Sequence, residues 1–224
     1  NSDSALQGQL RTEMRKFFSP LKAQGQYLRF LFLTGISKFS QMSIFSELNN
    51  LQNISMSDDY SAICGITEQE LLSQMQPDIE RIAQANNETY EEACRHLKRQ
   101  YDGYHFSKIC EDIYNPFSLF NAFSQRDYKS FWFSTGTPTF LIEMLQRMDF
   151  SLTLLEKMEV KDEDFDKATE VITDPIPVLY QSGYLTNKGY EPLFRTYTLG
   201  YPNEEVKIGF IETLIPSYLN QPTR

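Results

Sequence analysis

This chain of 224 residues is poor in the side chains that most often hold metals or form disulfides: it has two histidines and three cysteines. Cys64, Cys94 and Cys110 form no CxxC pair, so neither a disulfide framework nor a zinc knuckle is predicted. Cys94 and His96 lie two apart on a predicted helix, where they face different ways, so we expect no metal site. The cysteine usage favours a reducing, cytoplasmic location.

Signals for export, membrane insertion and DNA binding are also missing. The longest apolar runs are a few residues, such as Phe30–Leu33, whereas a membrane span needs ~20. The chain opens at Asn1 without a basic and then apolar leader, so we expect a fragment or a trimmed chain without a secretion signal. The formal net charge of -9 disfavours DNA, because a nucleic-acid binder needs a basic face. A protein partner is therefore favoured over DNA, and no membrane association is expected.

No motif for nucleotide hydrolysis is present. None of the ten glycines precedes a lysine, so the loop that surrounds phosphates with backbone N–H groups and a lysine is absent. No apolar strand ends in the paired acidic residues that would hold magnesium, and no GxSxG marks a serine nucleophile. For this chain alone we expect no catalytic residue and neither ATP nor Mg²⁺ as a cofactor.

Apolar periodicity and capping signals predict a mainly α chain with a minor β component. The segment Ser4–Leu21 has apolar residues at three- and four-residue spacing, typical of an amphipathic helix. A helical array is predicted in the middle of the chain, because four helix-start signals succeed one another there. These signals are capping boxes at Thr67 and Thr89, and a capping residue followed by proline at Asn115 and Thr137.

Changes in composition predict three parts. The segment Tyr27–Thr34 is apolar on both alternating faces at its end, as in a strand covered on both sides, and a long polar loop comes next over Ile36–Asp59. The acidic stretch at residues 161–166 is the best candidate boundary. We therefore expect the remnant of a core over residues 1–60, a helical lid-like array over 61–160 and a small unit over 161–224.

The last part has the pattern of a helix, a hairpin and a second helix, which is compatible with a small winged-helix-like unit. The predicted elements are a helix over Pro175–Ser182, strands at Tyr184–Thr186 and Phe194–Leu199 around a turn at Asn187-Lys188-Gly189, and a helix capped by Asn203.

A restriction-type nuclease would need an acidic residue and a Glu-x-Lys on adjoining strands. Glu205-Val206-Lys207 has this spacing, but so do Glu159-Val160-Lys161 and Asp127-Tyr128-Lys129. Because Glu205 lies on a predicted helix and metal ligands must converge from rigid neighbouring positions, we interpret the match as chance.

Distinctive sequence blocks follow one another along nearly the whole chain. They are Phe32-Leu33-Thr34-Gly35-Ile36-Ser37-Lys38-Phe39-Ser40, Tyr101-Asp102-Gly103-Tyr104-His105-Phe106, Tyr114-Asn115-Pro116-Phe117 and Trp132-Phe133-Ser134-Thr135-Gly136. In this order the blocks resemble the AAA-ATPase-like (predicted AAA-ATPase) family.

The resemblance implies the last strand of a P-loop-type core, a helical lid and a small C-terminal unit. In the family the phosphate-binding loop and the magnesium strand lie upstream, and a nuclease-like domain of the PD-(D/E)XK type often lies downstream. ATP and Mg²⁺ are thus expected as cofactors of the full-length parent only. The expected partners are the missing upstream P-loop region and the downstream nuclease-like domain.

The strand ending at Thr34 occupies the place where related ATPases carry a polar sensor of the terminal phosphate. Thr34, Ser37 and Lys38 are therefore nucleotide-sensing candidates, since a hydroxyl or ammonium there could tell a triphosphate from a diphosphate by a charge-assisted hydrogen bond. The alternative is that Thr34-Gly35 only turns the chain and Ser37 caps the next segment.

Asp102 and His105 belong to the most distinctive motif, Tyr101-Asp102-Gly103-Tyr104-His105-Phe106. Its rings could stack on a base while Asp102 and His105 bind the edge of that base. A structural turn is favoured, because Asp-Gly readily adopts the tight conformation needed after a helix and the aromatic residues would dock the turn. For the whole chain, the alternative to an ATPase fragment is a helical and winged-helix interaction module without nucleotide.

Overall fold

A computed structural model describes residues 2–35, 51–134, 143–145, 158–161 and 175–219. Contacts divide the chain into two compact units. One unit consists of Asn1–Ile54 and Glu163–Ser182, and the other consists of Ser55–Asp162 and Gly183–Arg224. All the described strands belong to the second unit.

The first unit contains α1 (Ser2–Ala23) and a 3₁₀ turn over Gly25–Tyr27. The predicted first helix is therefore confirmed. The strand predicted over Tyr27–Thr34 is not formed: Leu28 has extended backbone angles, but the chain through Thr34 has no strand partner among the described residues. An extended segment becomes a strand only when a neighbour takes up its backbone hydrogen bonds, and the local pattern cannot reveal whether that neighbour is present.

Five helices come next in the second unit, and their starts agree with the capping signals. Thr67 and Thr89 each accept the N–H of the glutamate three residues on, and each glutamate bonds back to the capping residue. Asn115 Oδ1 accepts the N–H groups of Phe117 (3.0 Å) and Ser118 (3.3 Å). The Thr137-Pro138 signal lies outside the described residues, although residues 143–145 are helical. The five helices are α2 (Glu68–Gln74), α3 (Gln76–Asn86), α4 (Tyr90–Tyr101), α5 (Pro116–Gln125) and α6 (Phe131–Ser134).

The core of this array forms where the helices turn their apolar faces towards one another. Ala93, Leu97 and Tyr101 recur along one face of α4, as its periodicity predicted, and all three are buried. Leu119 and Ala122 line the inner side of α5. A two-stranded antiparallel sheet of β1 (Ile66–Thr67) and β2 (Ile113–Tyr114) closes this region.

The remaining described elements are β3 (Met158–Lys161), α7 (Ile176–Gln181), β4 (Thr186–Glu191), β5 (Thr196–Gly200) and α8 (Glu204–Leu219). The predicted helix, hairpin and helix are present in that order. The sheet is antiparallel with β5 in the centre, between β4 and β3. β3 was not predicted; it ends at Lys161, where the boundary of the last part was expected.

The turn of the hairpin differs from the prediction. Asn187-Lys188-Gly189, expected as the turn, lies inside β4 at a break in register, and the chain turns over residues 192–195, which include Phe194. α7 is grouped with the first unit, whereas the hairpin and α8 belong to the second. The winged-helix likeness therefore stays a prediction.

Among the described residues, no helix is long and apolar enough to cross a membrane.

Candidate functional site

The sequence-predicted site residues fall in different parts of the chain. Thr34 is exposed, at the end of the extended segment that comes after α1. Ser37 and Lys38 lie outside the described residues. Asp102 and His105 lie in the second unit and are both buried.

The chain turns sharply where α4 ends, and only glycine fits the turn. Asp102 is the residue that caps α4, and Gly103 has φ +91°, in the region that side chains disfavour. A β-carbon on Gly103 would lie 2.4 Å from the carbonyl oxygen of Pro202. The turn therefore presses its backbone against the loop that joins β5 to α8.

Lys188 fastens this turn from the side of the hairpin. Its ammonium donates to the carbonyl oxygens of Gly103 (2.8 Å) and Pro202 (2.9 Å). Partial burial lowers the pKa of Lys188, because it makes the charged form of the amine less favourable. The register break within β4 places Lys188 between two paired residues of that strand, Asn187 and Gly189.

His105 forms a second link between the motif and the hairpin. Its backbone N–H donates to the Thr186 hydroxyl (2.8 Å), and that hydroxyl donates to the His105 carbonyl (3.0 Å). Nδ1 lies 2.5 Å from the Asn187 carbonyl oxygen, and Nε2 lies 2.6 Å from Asp112 Oδ1. Both ring nitrogens therefore lie within hydrogen-bond distance of an oxygen atom.

Asn187 completes the link from within β4. Its side-chain amide donates to the Ser107 carbonyl (2.9 Å) and to Cys110 Sγ (3.3 Å), and its Oδ1 accepts the Gly189 N–H (2.9 Å). Asn187 is fully buried, so these bonds replace all of the hydration of its amide. We use the name clasp for Lys98, Asp102, Gly103, His105, Asp112, Thr186, Asn187 and Lys188.

Asp102 is the unusual member of the clasp. It is 2% exposed, and neither carboxylate oxygen has a hydrogen-bond partner among the described residues. Its nearest described cation is Lys98, with Nζ 3.8 Å from Oδ2. Burial raises the pKa of Asp102 to about 6, because a charged carboxylate is costly in a dry site; the nearby Gly103 N–H and the Lys98 ammonium only partly oppose this shift.

Lys98 bridges three carboxylates at the edge of the clasp. Its Nζ lies 3.1 Å from Glu68 and 3.8 Å from both Asp102 and Asp112. Partial burial lowers the pKa of Lys98, but the hydrogen bond and charge of Glu68, together with the charges of the two aspartates, raise it overall. This ammonium therefore occupies the space among the carboxylates.

The clasp can join α4 to the hairpin and hold both in one arrangement. Tyr104 and His105 are buried, whereas Phe106 is partly exposed, so of these three rings Phe106 is the one that a base could reach.

No group of three or more metal-ligating side chains with the geometry to hold a metal ion occurs in the described part of the chain. The sequence patterns did not single out Asp112, Thr186 or Lys188 as members of this network, because they come together only in the fold.

Glu205 has a structural contact instead of a nuclease geometry. It lies on α8, is fully buried, and its Oε1 accepts the backbone N–H of Trp132 at 2.7 Å. Burial raises the pKa of Glu205. The contact ties α8 to the start of α6, and the helical placement of Glu205-Val206-Lys207 agrees with the interpretation of that match as chance.

Two comparisons with known proteins gave a match: one aligns nearly the whole chain with a relative, and the other matches a family model to residues 1–45. The chain is 34% identical over 225 residues to a protein of Azotobacter chroococcum mcd 1 described as "Uncharacterized protein in vnfD 5'region". The alignment covers 96% of this chain and 40% of that relative, so the chain spans less than half of the relative's length. No solved structure matches. The family model described as "Predicted AAA-ATPase" matches residues 1–45, and this match supports the AAA-ATPase-like family for this chain.

Proposed function

We propose that this chain supplies a sensor segment and a helical lid to an ATPase whose phosphate-binding loop lies in other sequence. Thr34, Ser37 and Lys38 form the sensor of the terminal phosphate in this proposal. The helices of residues 61–160 form the lid. The chain does not complete a nucleotide site by itself.

The observation that carries the proposal is the exposure of apolar side chains in the segment that matches the ATPase family. Phe17 on α1 is 72% exposed, and Phe30 in the extended segment is 80% exposed. Leu6, Leu10 and Tyr27 are also more than half exposed. Burial of these side chains would be worth roughly 1.5–3 kcal/mol each, so their exposure favours a partner surface.

The helical array of the second unit differs from this segment in having a core of its own. Its helices bury a continuous apolar core that includes Leu71, Ile79, Leu97 and Leu119. The array therefore has its own core, whereas large apolar side chains of the family-matched segment are exposed to solvent. A sheet beside the extended segment would also accept its backbone hydrogen bonds.

Thr34 suits the sensor role by its place and chemistry. It ends the segment that follows α1, and the residue is exposed, so a bound phosphate could reach it. A hydroxyl together with a lysine ammonium four residues on can contact the γ-phosphate oxygens by charge-assisted hydrogen bonds. ATP and Mg²⁺ belong to the full-length parent, and a nuclease-like domain of the PD-(D/E)XK type is its proposed downstream partner.

The test compares this chain with the full-length natural protein by titration of a fluorescent ATP analogue with Mg²⁺. We expect the full-length protein to bind and this chain to bind weakly or not at all. A Thr34→Ala change should weaken binding at least several-fold, whereas Thr12→Ala, which removes an exposed hydroxyl on α1, should leave it unchanged.

Two outcomes would overturn the proposal. If neither protein bound the ATP analogue, the ATPase proposal would fail, and the interaction-module interpretation would replace it. Binding by the full-length protein with equal affinity in the Thr34→Ala variant and the parent would retain an ATPase but remove Thr34 as its sensor. A hydrophobic dye adds a separate readout: this chain should bind it through the exposed apolar residues of α1 and of the segment after it, and Phe17→Ser with Phe30→Ser should reduce that signal.

A further inference from the structure

A shallow groove of about 390 Å³ runs between α3 and α5 in the second unit. Its lining residues are Asp78, Arg81, Phe120, Phe123, Ser124 and Arg126. The ends of the two helices are linked, since Asn86 Nδ2 at the end of α3 donates to the carbonyl oxygen of Arg126 at the end of α5 (3.0 Å). The groove is therefore preorganised, which lowers the entropic cost of binding a ligand.

One wall of the groove is aromatic, and the core does not use all of it. Leu119 and Ala122 fill the buried side of α5, whereas Phe117 and Phe120 are 47% and 53% exposed. Residues three apart on a helix are neighbours, so these two rings form one apolar strip beside the groove. Adjacent exposed aromatic residues on a rigid helix are typical of binding surfaces.

The charges at the groove are arranged to receive an acidic group. Arg81 pairs with Asp78 on the same helix. Arg126 is exposed and has no ion pair among the described residues. Its planar guanidinium binds carboxylates by two parallel hydrogen bonds.

The backbone also holds Arg126 in a fixed place. The N–H of Arg126 bonds to the Ala122 carbonyl and that of Asp127 bonds to the same oxygen (3.3 Å), so α5 ends with Arg126 in the left-handed conformation. Arg126 has φ +54°, a conformation that glycine or asparagine adopts more readily. The guanidinium is thus carried on a defined turn at the end of the aromatic strip.

We propose that this groove binds a short segment of a partner protein that combines a large apolar side chain with a neighbouring aspartate or glutamate. The apolar side chain packs on Phe120 and Phe123, and the carboxylate pairs with Arg126. A nucleic acid fits less well, because Asp78 lines the same groove and the whole chain is acidic. This binding goes beyond the nucleotide proposal and does not depend on it.

The experiment uses two fluorescein-labelled peptides of equal length and this chain. Both peptides carry leucine and phenylalanine at three- and four-residue spacing; one has glutamate at the other positions and its counterpart has lysine there. We expect the glutamate peptide to bind, with fluorescence anisotropy as the readout, and the lysine peptide to bind at least tenfold more weakly.

Variants assign that binding to the groove. Arg126→Gln and Phe120→Ser should each weaken binding of the glutamate peptide about tenfold or more. Matched controls remove the same side chains from other exposed places: Arg95→Gln on α4 and Phe194→Ser in the hairpin turn should leave the affinity within about twofold.

Three results would overturn the inference: equal binding of both peptides, no effect of Arg126→Gln, or losses as large in the control variants. NMR spectra of each variant show whether the fold is retained, so an unfolded variant is not taken as support. Amide shifts caused by the glutamate peptide should cluster on α3 and α5, and shifts confined to another surface would also overturn it. Retention of peptide binding in a protein that binds no ATP would separate this inference from the proposed function.

Discussion

The ammonium of Lys188 lies between two carbonyl oxygens that belong to different loops, those of Gly103 and Pro202. One oxygen comes after α4 and the other precedes α8, so a single side chain of the hairpin fixes both loops. Each bond is charge-assisted, because its donor is an ammonium, and is therefore stronger than a bond between two neutral groups. The closeness of the two loops explains why a glycine is needed at position 103.

Gly103→Ala should destabilise the protein by about 2–3 kcal/mol. The added β-carbon would lie 2.4 Å from the Pro202 carbonyl oxygen, and φ +91° is costly for alanine. Urea unfolding followed by circular dichroism gives the free energy of unfolding. Gly189→Ala is the matched control, since a β-carbon there meets nothing within 4 Å; its effect should stay within about 0.5 kcal/mol. Equal losses in both variants would contradict the steric explanation.

Thr89→Ala should cost about 1 kcal/mol of stability, because Thr89 caps α4 through the Glu92 N–H at 3.2 Å. Hydrogen bonds from the backbone and side chain of Thr89 lower the pKa of Glu92, so the stability that the Glu92 carboxylate adds is present above the unfolded pKa and is lost as the pH falls through the folded pKa. NMR titration should show the pKa of Glu92 rising in Thr89→Ala. Thr89→Ser keeps the hydroxyl and should retain the low pKa; an unchanged pKa in Thr89→Ala would contradict the capping account.

Local features of the fold could be predicted from the sequence because their causes lie within a few residues. The capping boxes at Thr67 and Thr89 and the Asn115-Pro116 start each depend on a side chain and an N–H two or three residues away. The helix and hairpin order near the C-terminus comes from the same kind of signal. The Asp-Gly turn after α4 is also local, since it needs only the freedom of Gly103.

The clasp could not be predicted because its members are joined by the fold. His105 and Asn187 are about eighty positions apart, and no periodicity links them. The same contacts explain the misplaced hairpin turn. Asn187-Lys188-Gly189 has turn-like residues, but the bonds of Asn187 to Ser107 and Cys110 hold it in β4. β3 escaped prediction because it is a short edge strand with charged residues, which is how exposed edges are usually protected.

Arg126→Gly should raise the free energy of unfolding by up to about 1 kcal/mol, because glycine adopts φ +54° without the steric cost that arginine carries. Urea unfolding measures the gain. Asn87→Gly is the control: Asn87 ends α3 in the same conformation, φ 57°, but asparagine already tolerates it, so the change should stay within a few tenths of a kcal/mol. If the groove proposal is correct, Arg126→Gly should gain stability and lose peptide binding together. A loss of stability would show that the arginine side chain makes a favourable contact.

Asp102→Asn should stabilise the protein at pH 7 and reduce its pH dependence. The pKa of Asp102 rises from 3.8 to about 6 on folding, so the folded state binds more protons than the unfolded state between these values. Stability therefore falls as the pH rises from about 4 to 6, and the full cost, roughly 2–3 kcal/mol, is present above about pH 6.

Asparagine has the same shape without the charge, so the gain in Asp102→Asn should be absent below about pH 4 and complete above about pH 6. Asp112→Asn is the matched comparison, and we expect it to lower stability by about 1–3 kcal/mol, because Asp112 accepts from His105 at 2.6 Å and lies 3.8 Å from Lys98. Urea unfolding from pH 3.5 to 8 measures both. If Asp102→Asn lowered stability at pH 7 as Asp112→Asn does, the Lys98 ammonium would outweigh the burial of the Asp102 charge, and the carboxylate would be a stabilising member of the clasp.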